Sequence, residues 1–299
     1  MLTQDQKDFY EAMNDGVYIV DRQRVIMYWN KAAERIAGYT AEEVIGKSCA
    51  DNILIHVTET GVKLCTGPCP MSDSINNGKA NQARVYLHHK EGHRIPVYVR
   101  TAPFLNQANS IVGGIELFSE DAPRIQDKKS SKKSQEAGQQ CSVTQLPNRS
   151  YLARELETDL NDYREHGYIF GVIQFHMTDL EQVLELHGSE TRDNVIRMVG
   201  KTISYGVRPF DVVGRWNESS FLGIFTADSI EGLKKIAGRI LVLTGHSKIM
   251  LGNTAVTTGL CCAALMATAE DSVESLSEAL DTMIQTRSSG PGNGIFIES

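Results

Sequence analysis

No stretch of this chain approaches the roughly eighteen consecutive apolar residues that a membrane-spanning helix requires. The opening MLTQDQKDFYEAM is polar and acidic and lacks the basic start and apolar run of a secretory signal. An excess of positive charge is also missing: 30 Lys and Arg stand against 37 Asp and Glu, a formal net charge of −7. That balance argues against general binding to nucleic acid or to anionic membrane, while leaving room for local basic sites. No internal repeat is visible, and no apolar heptad is sustained. Cysteine is sparse and uneven, at 49, 65, 69, 141, 261 and 262. With no signal sequence, free thiols or metal ligands are expected rather than disulfides, and the cytoplasm is the expected location.

What is present is enough apolar residue for two cores, 41% of 299 residues. Composition breaks once, at SEDAPRIQDKKSSKKSQEAGQQC over 119–141, which is charged, serine-rich and almost without large apolar side chains. The expected division is therefore a first domain over 1–119, a flexible or partly helical linker over 120–141, and a second domain over 142–299.

The first domain opens with a short helix pattern, then GVYIVD and RVIMYWN as a hairpin joined through DRQR. KAAERIAGYTAEEVIG has helical spacing broken at Gly38 and restarted at Thr40, with Glu43 completing a capping box. NQARVYLHHKEGHRIPVYVRTAPFL alternates about the turn KEGH, and SIVGGIELFS closes as a strand. These pieces, NDGVYIVD, YWNKAAERIAGYTAEEVIGKS and GGIELF, resemble the PAS family over residues 6–119. The resemblance implies a small α+β sensor fold that holds a ligand between helices and sheet, or dimerises.

Within it, CADNILIHVTETGVKLCTGPC carries Cys49, His56, Cys65 and Cys69 in the pattern C-x6-H-x8-C-x3-C. Four such ligands within twenty-one residues suit one tetrahedral zinc or part of an iron–sulfur cluster. The turn sequence TGP, with Pro70 after Cys69, aims the last two sulfurs into one space. His88, His89 and His93 offer a further ligand or a supporting shell. Two other readings stay open, namely inert core thiols and a thiol–disulfide switch. Flavin is disfavoured: GKSC places Cys49 where light-sensing PAS domains carry a reactive cysteine, but ADNILI lacks the Arg and Gln those domains use. Haem on His56 or His88 is a further option.

The second domain runs VTQLPNRSYLARELETDL, then YIFGVIQF, the helix LEQVLELHGSETRDNVIRMVGKTISYGV, and a hairpin around RPFDVVGRWNESSF. TQLPNRSYL and VTTGLCCA, with this order, resemble the GGDEF family of diguanylate cyclases across 142–299. The resemblance implies an antiparallel-rich central sheet flanked by helices, like that of nucleotide cyclases, giving an α+β chain overall. It also implies a signature at Asn217–Phe221, which here reads NESSF. Ser219 and Ser220 stand at its two acidic positions, and His176 stands at the second metal carboxylate. Serine and histidine are poor ligands for hard Mg²⁺. Glu218 is one position out of register, which at a hairpin points a side chain to the wrong face. Asn217 tolerates the left-handed turn geometry that glycine would supply, so the hairpin is expected to persist. Of the two base-reading positions, Leu184 has lost its hydrogen-bonding group and Asp193 remains. Ile284 falls at the phosphate-binding lysine position, with Arg287 a partial replacement. No cyclase activity is expected.

Arg208-Pro-Phe-Asp211 keeps the spacing of the family's inhibitory product site, Arg-x-x-Asp. An arginine fork pairs with guanine O6 and N7 or with phosphate, and a carboxylate accepts from guanine N1–H and N2–H. Cyclic di-GMP offers both partners. The expected function is a sensor coupled to an inactive cyclase domain that binds cyclic di-GMP, acting as a homodimer on a downstream signalling protein. The other reading is a dimerisation or docking scaffold that binds no nucleotide.

Overall fold

The computed structural model describes residues 2–51, 53–121, 138–287 and 294–297. Its contacts divide the chain into two compact units, Met1–Ala122 and Pro123–Ser299. The expectation of a flexible or partly helical linker falls on 122–137, outside the described residues. Among those described, no helix is long and apolar enough to cross a membrane.

The first unit begins with α1 (Gln4–Glu11), held by a capping box of Thr3 and Gln6. Strands β1 (Gly16–Asp21) and β2 (Ile26–Trp29) form the first hairpin. Next come α2 (Lys31–Ala37), α3 (Ala41–Val44) with the Thr40–Glu43 capping box, and α4 (Pro70–Asn77). The unit closes with β3 (Asn81–His88), β4 (Arg94–Leu105) and β5 (Ile111–Glu120). The sheet order is β2-β1-β5-β4-β3, antiparallel throughout. Buried Asn30 joins strand to helix: its Oδ1 accepts from Val17 N at 2.9 Å and from Ala33 N at 2.8 Å. It thereby satisfies the helix start and the strand at once. Tyr18, Trp29 and Phe118 pack as an aromatic group on the sheet.

In the second unit, a turn from Gly138 leads to α5 (Arg149–His166), N-capped by Asn148. Strand β6 (Gly171–Met177) precedes α6 (Leu180–Gly206), whose helical geometry is interrupted at Gly188. The hairpin β7 (Val212–Arg215) and β8 (Ser220–Phe225) follows, then α7 (Ile230–Gly245). A small separate hairpin of β9 (Ile249–Leu251) and β10 (Thr254–Val256) leads to β11 (Leu260–Met266), α8 (Val273–Arg287) and β12 (Gly294–Ile297). The sheet order is β12-β11-β6-β8-β7, with one parallel pair, β11 and β12.

Strand alternation divides this sheet into two faces. Ile173, Phe175, Phe221 and Phe225 face the core shared with α6 and α7. Val172, Leu222 and Ile224 face the core shared with α5 and α8. By the same alternation Gln174, His176 and Ser220 belong to the α5–α8 face.

Pro147, from the opening motif TQLPNRSYL, lies directly over β7: its carbonyl accepts from Arg215 N at 2.7 Å. A Cβ on Gly214 would sit 2.2 Å from that same oxygen. Gly214→Val must therefore push the motif off the hairpin, at an expected cost of about 3 kcal/mol. Urea denaturation followed by Trp216 fluorescence in a Trp29→Phe background checks this.

Candidate functional site

The antiparallel register places His176 opposite Ser220. Ser220 Oγ lies 3.0 Å and Ser219 Oγ 3.4 Å from His176 Nδ1. Burial pulls the His176 imidazole below its ordinary pKa, against the opposing charge of Asp281. Asp281, on α8, accepts from Gln174 Nε2 at 2.8 Å, and Gln174 Oε1 is buried without a hydrogen-bond partner. The two positions where the resemblance implies metal carboxylates thus hold an imidazole and the Ser219 hydroxyl, with Ser220 at the remaining acidic position, and both hydroxyls lie within hydrogen-bonding distance of the imidazole. Such a donor set does not suit a pair of magnesium ions, which require hard anionic oxygens.

Asn217 does not adopt a left-handed conformation. Its Oδ1 instead accepts from Ser219 N at 3.0 Å, so a side-chain acceptor closes the turn in place of glycine's backbone freedom. Glu218 is exposed, and its carbonyl accepts from the Arg215 guanidinium. Leu184, on the first half of α6, is 38% exposed, an apolar side chain facing water. Asp193 is engaged by Arg192 at 3.0 Å. Ile284 is buried in the α5–α8 core, and the side chain of Arg287 lies outside the described residues.

At the other end of the hairpin, Arg208 is exposed and its backbone N–H donates to Asp211 Oδ2 at 2.8 Å. Burial raises the Asp211 carboxyl above its ordinary pKa, opposed by that hydrogen bond and by the positive charges of Arg208 and Arg239. Arg239, on α7, has a buried Nε without a hydrogen-bond partner. The charges of two guanidinium groups therefore act on one half-buried carboxylate. Nothing in the spacing of the hairpin sequence points to Arg239, which the packing of α7 brings in from twenty-eight residues away.

In the first unit the predicted metal set is not assembled. Among the described residues, no three ligand atoms from Cys49, His56, Cys65 and Cys69 lie within 4.8 Å of one another. Burial pushes the Cys49 thiol up to about 12 and Cys65 to about 11, so both stay protonated. His56 turns toward Glu116 instead, Nε2 to Oε1 3.6 Å. Glu116 on β5 sits opposite Tyr18 on β1 and Thr101 on β4, forming a polar row across an otherwise apolar sheet face. Burial raises Glu116 to about 8, with Tyr18 hydrogen bonding opposing, and lowers His56 to about 4, with the Arg94 charge adding to the effect. Both groups are neutral near pH 7. Sequence reasoning missed Glu116, because within GGIELF it reads as an ordinary strand residue.

The comparisons with known proteins follow the two units. The family profile described as "Diguanylate cyclase, GGDEF domain" matches residues 141–293, and that described as "PAS fold" matches 5–121. The chain belongs to the GGDEF family, with a PAS domain preceding the GGDEF domain. It is similar to the "Probable diguanylate cyclase DgcE" of Escherichia coli (strain K12), 21% identical over 77% of this chain. That match spans 20% of the relative's length. Among solved structures, the GGDEF domain of DgcB from Caulobacter crescentus in complex with c-di-GMP gives a TM-score of 0.51 at 18% identity. It covers 53% of this chain and 95% of that one. Diguanylate cyclase SiaD in complex with its activator SiaC from Pseudomonas aeruginosa gives 0.52 at 16% identity, covering 55% and 63%.

The buried acid and imidazole impose a pH dependence of opposite sign. His56, bound to fewer protons when folded, adds stability as pH rises from about 4 to 6.5. Glu116, protonated when folded, removes stability as pH rises from 4.5 to about 8. The two offset up to about pH 6.5, and above it Glu116 acts alone, by at most about 1.4 kcal/mol per pH unit. The denaturation midpoint reported by Trp29 in a Trp216→Phe background should fall between pH 6.5 and 8. Glu116→Gln should flatten that slope.

Proposed function

We propose that this PAS–GGDEF chain is a signalling protein whose GGDEF domain performs no cyclase chemistry and instead binds cyclic di-GMP. The observation that carries the reading is the placement of Asp211 within the field of both Arg208 and Arg239. The carboxylate accepts from the N1–H and N2–H of guanine. The guanidinium groups pair with guanine O6 and N7 or with phosphate. The inactive half of the proposal rests on the hydrogen-bonded His176, Ser219 and Ser220, which supply no carboxylate to a triphosphate-bound metal. In this reading the PAS domain receives the signal, and the chain works in the cytoplasm as a homodimer that acts on a downstream protein.

One observation favours the alternative of a docking scaffold. Phe210, between Arg208 and Asp211, is 89% exposed. An aromatic side chain held in water at a turn is the kind of group that a protein partner covers.

Calorimetry with cyclic di-GMP on the full chain separates the two. Arg208→Ala and Arg239→Ala should each weaken binding by roughly ten- to a hundredfold, the worth of a hydrogen bond to a charged group. Absence of binding by the unmodified chain would favour the scaffold. Formation of cyclic di-GMP from GTP and magnesium by the pure protein would overturn the inactive assignment.

A further inference from the structure

The β3–β4 turn brings together three side chains that the proposed function does not use. His89 N donates to His93 O at 2.9 Å and Gly92 N to His89 O at 2.8 Å, extending the antiparallel ladder one step beyond the pair His88 and Arg94. His89 and His93 consequently face each other across the turn on one side of the ribbon. Their rings stack with centroids 4.3 Å apart. Glu91, at the tip, extends its carboxylate toward the same side, 3.9 Å from His93 Nδ1. One ligand atom from each of His89, Glu91 and His93 lies within 4.8 Å of the others, the only such group among the described residues.

The surroundings hold this arrangement in place. Gly38, the left-handed C-cap of α2, lies beneath the His89 ring, where a Cβ would come within 2.6 Å of the ring atoms. Lys90 N donates to Ala37 O at 3.0 Å, which ties the turn to the end of that helix. Lys90 Nζ is drawn to Glu43 Oε1 at 2.5 Å, so its positive charge is paired on α3 rather than left beside the imidazoles. His93 is 2% exposed and cannot swing away from the group.

We propose that His89, Glu91 and His93 form a binding site for a divalent transition-metal ion, with zinc the best fit. Two imidazoles and one carboxylate match the borderline softness of zinc and are too rich in nitrogen for magnesium or calcium. Three protein ligands leave a fourth position for water or an exogenous donor. Loading has a cost, because Glu91 N already donates to His89 Nδ1 at 3.0 Å. A cation taken at Nδ1 displaces that amide hydrogen, and one taken at Nε2 requires Nδ1 to carry a proton against it. The site is therefore exchangeable, unlike a structural zinc centre. It also differs from the cysteine set at 49–69 in both position and ligand type.

The full chain, stripped with chelator, should bind a single equivalent of zinc in calorimetry. His89→Ala and Glu91→Gln should each weaken binding by roughly tenfold or more, with circular dichroism confirming that both variants remain folded. Cobalt, used as a spectroscopic substitute, should give ligand-field bands without the thiolate charge-transfer absorption of cysteine ligation. Absence of zinc binding at millimolar concentration overturns the proposal. So does binding unchanged in the double variant His89→Ala/Glu91→Gln, or a thiolate band that disappears with Cys65→Ser.

Discussion

The antiparallel pairing of β6 with β8 sets which side chains meet in the second unit. Because side chains alternate, the apolar members of both strands fill cores on either side of the sheet, and this locks the register. The register in turn obliges His176 to face Ser220, at the end of the strands where the sheet meets the hairpin turn. Had these positions carried carboxylates, the same pairing would concentrate negative charge and require cations to offset it. With an imidazole and hydroxyls, the hydrogen bonds close internally. The sheet is held by its apolar alternation on both faces, independently of which polar groups stand at the strand ends.

The hairpin thus carries two chemically different ends. Its tip, at NESSF, is closed by an asparagine side chain and by contacts to neutral groups. Its base keeps a carboxylate that feels the charge of two arginines, one of which has a buried Nε without a hydrogen-bond partner. Separate strand ends and separate helices build these two ends, so the chemistry of one does not fix that of the other.

The first unit presents a related economy. Its sheet face is apolar except for the row of Tyr18, Glu116 and Thr101, and burial keeps Glu116 protonated rather than ionised. His56, which by spacing belonged with the cysteines, lies beside that acid, Nε2 to Oε1 3.6 Å. An ionised carboxylate in this place would be costly, and the neutral acid beside a neutral imidazole avoids most of the penalty.

Residue patterns alone determined much of this protein. The period-two run GVYIVD, the hairpin about RPFDVVGRWNESSF, the Thr40–Glu43 capping box and the turn KEGH are local features. Their physics acts within a few residues, and each appears in the structure where the pattern placed it. Tertiary structure alone decided which distant groups share a space. The packing of α7 brings the charge of Arg239 to bear on Asp211, and Glu116 meets His56 because β5 lies at the centre of its sheet. His89 and His93 stack because the ladder continues into the turn, while the cysteines at 49, 65 and 69 do not close on a common point. Sequence spacing constrains neighbours along the chain, whereas burial and strand register choose partners across it, and the chemistry of each candidate site depends on the second.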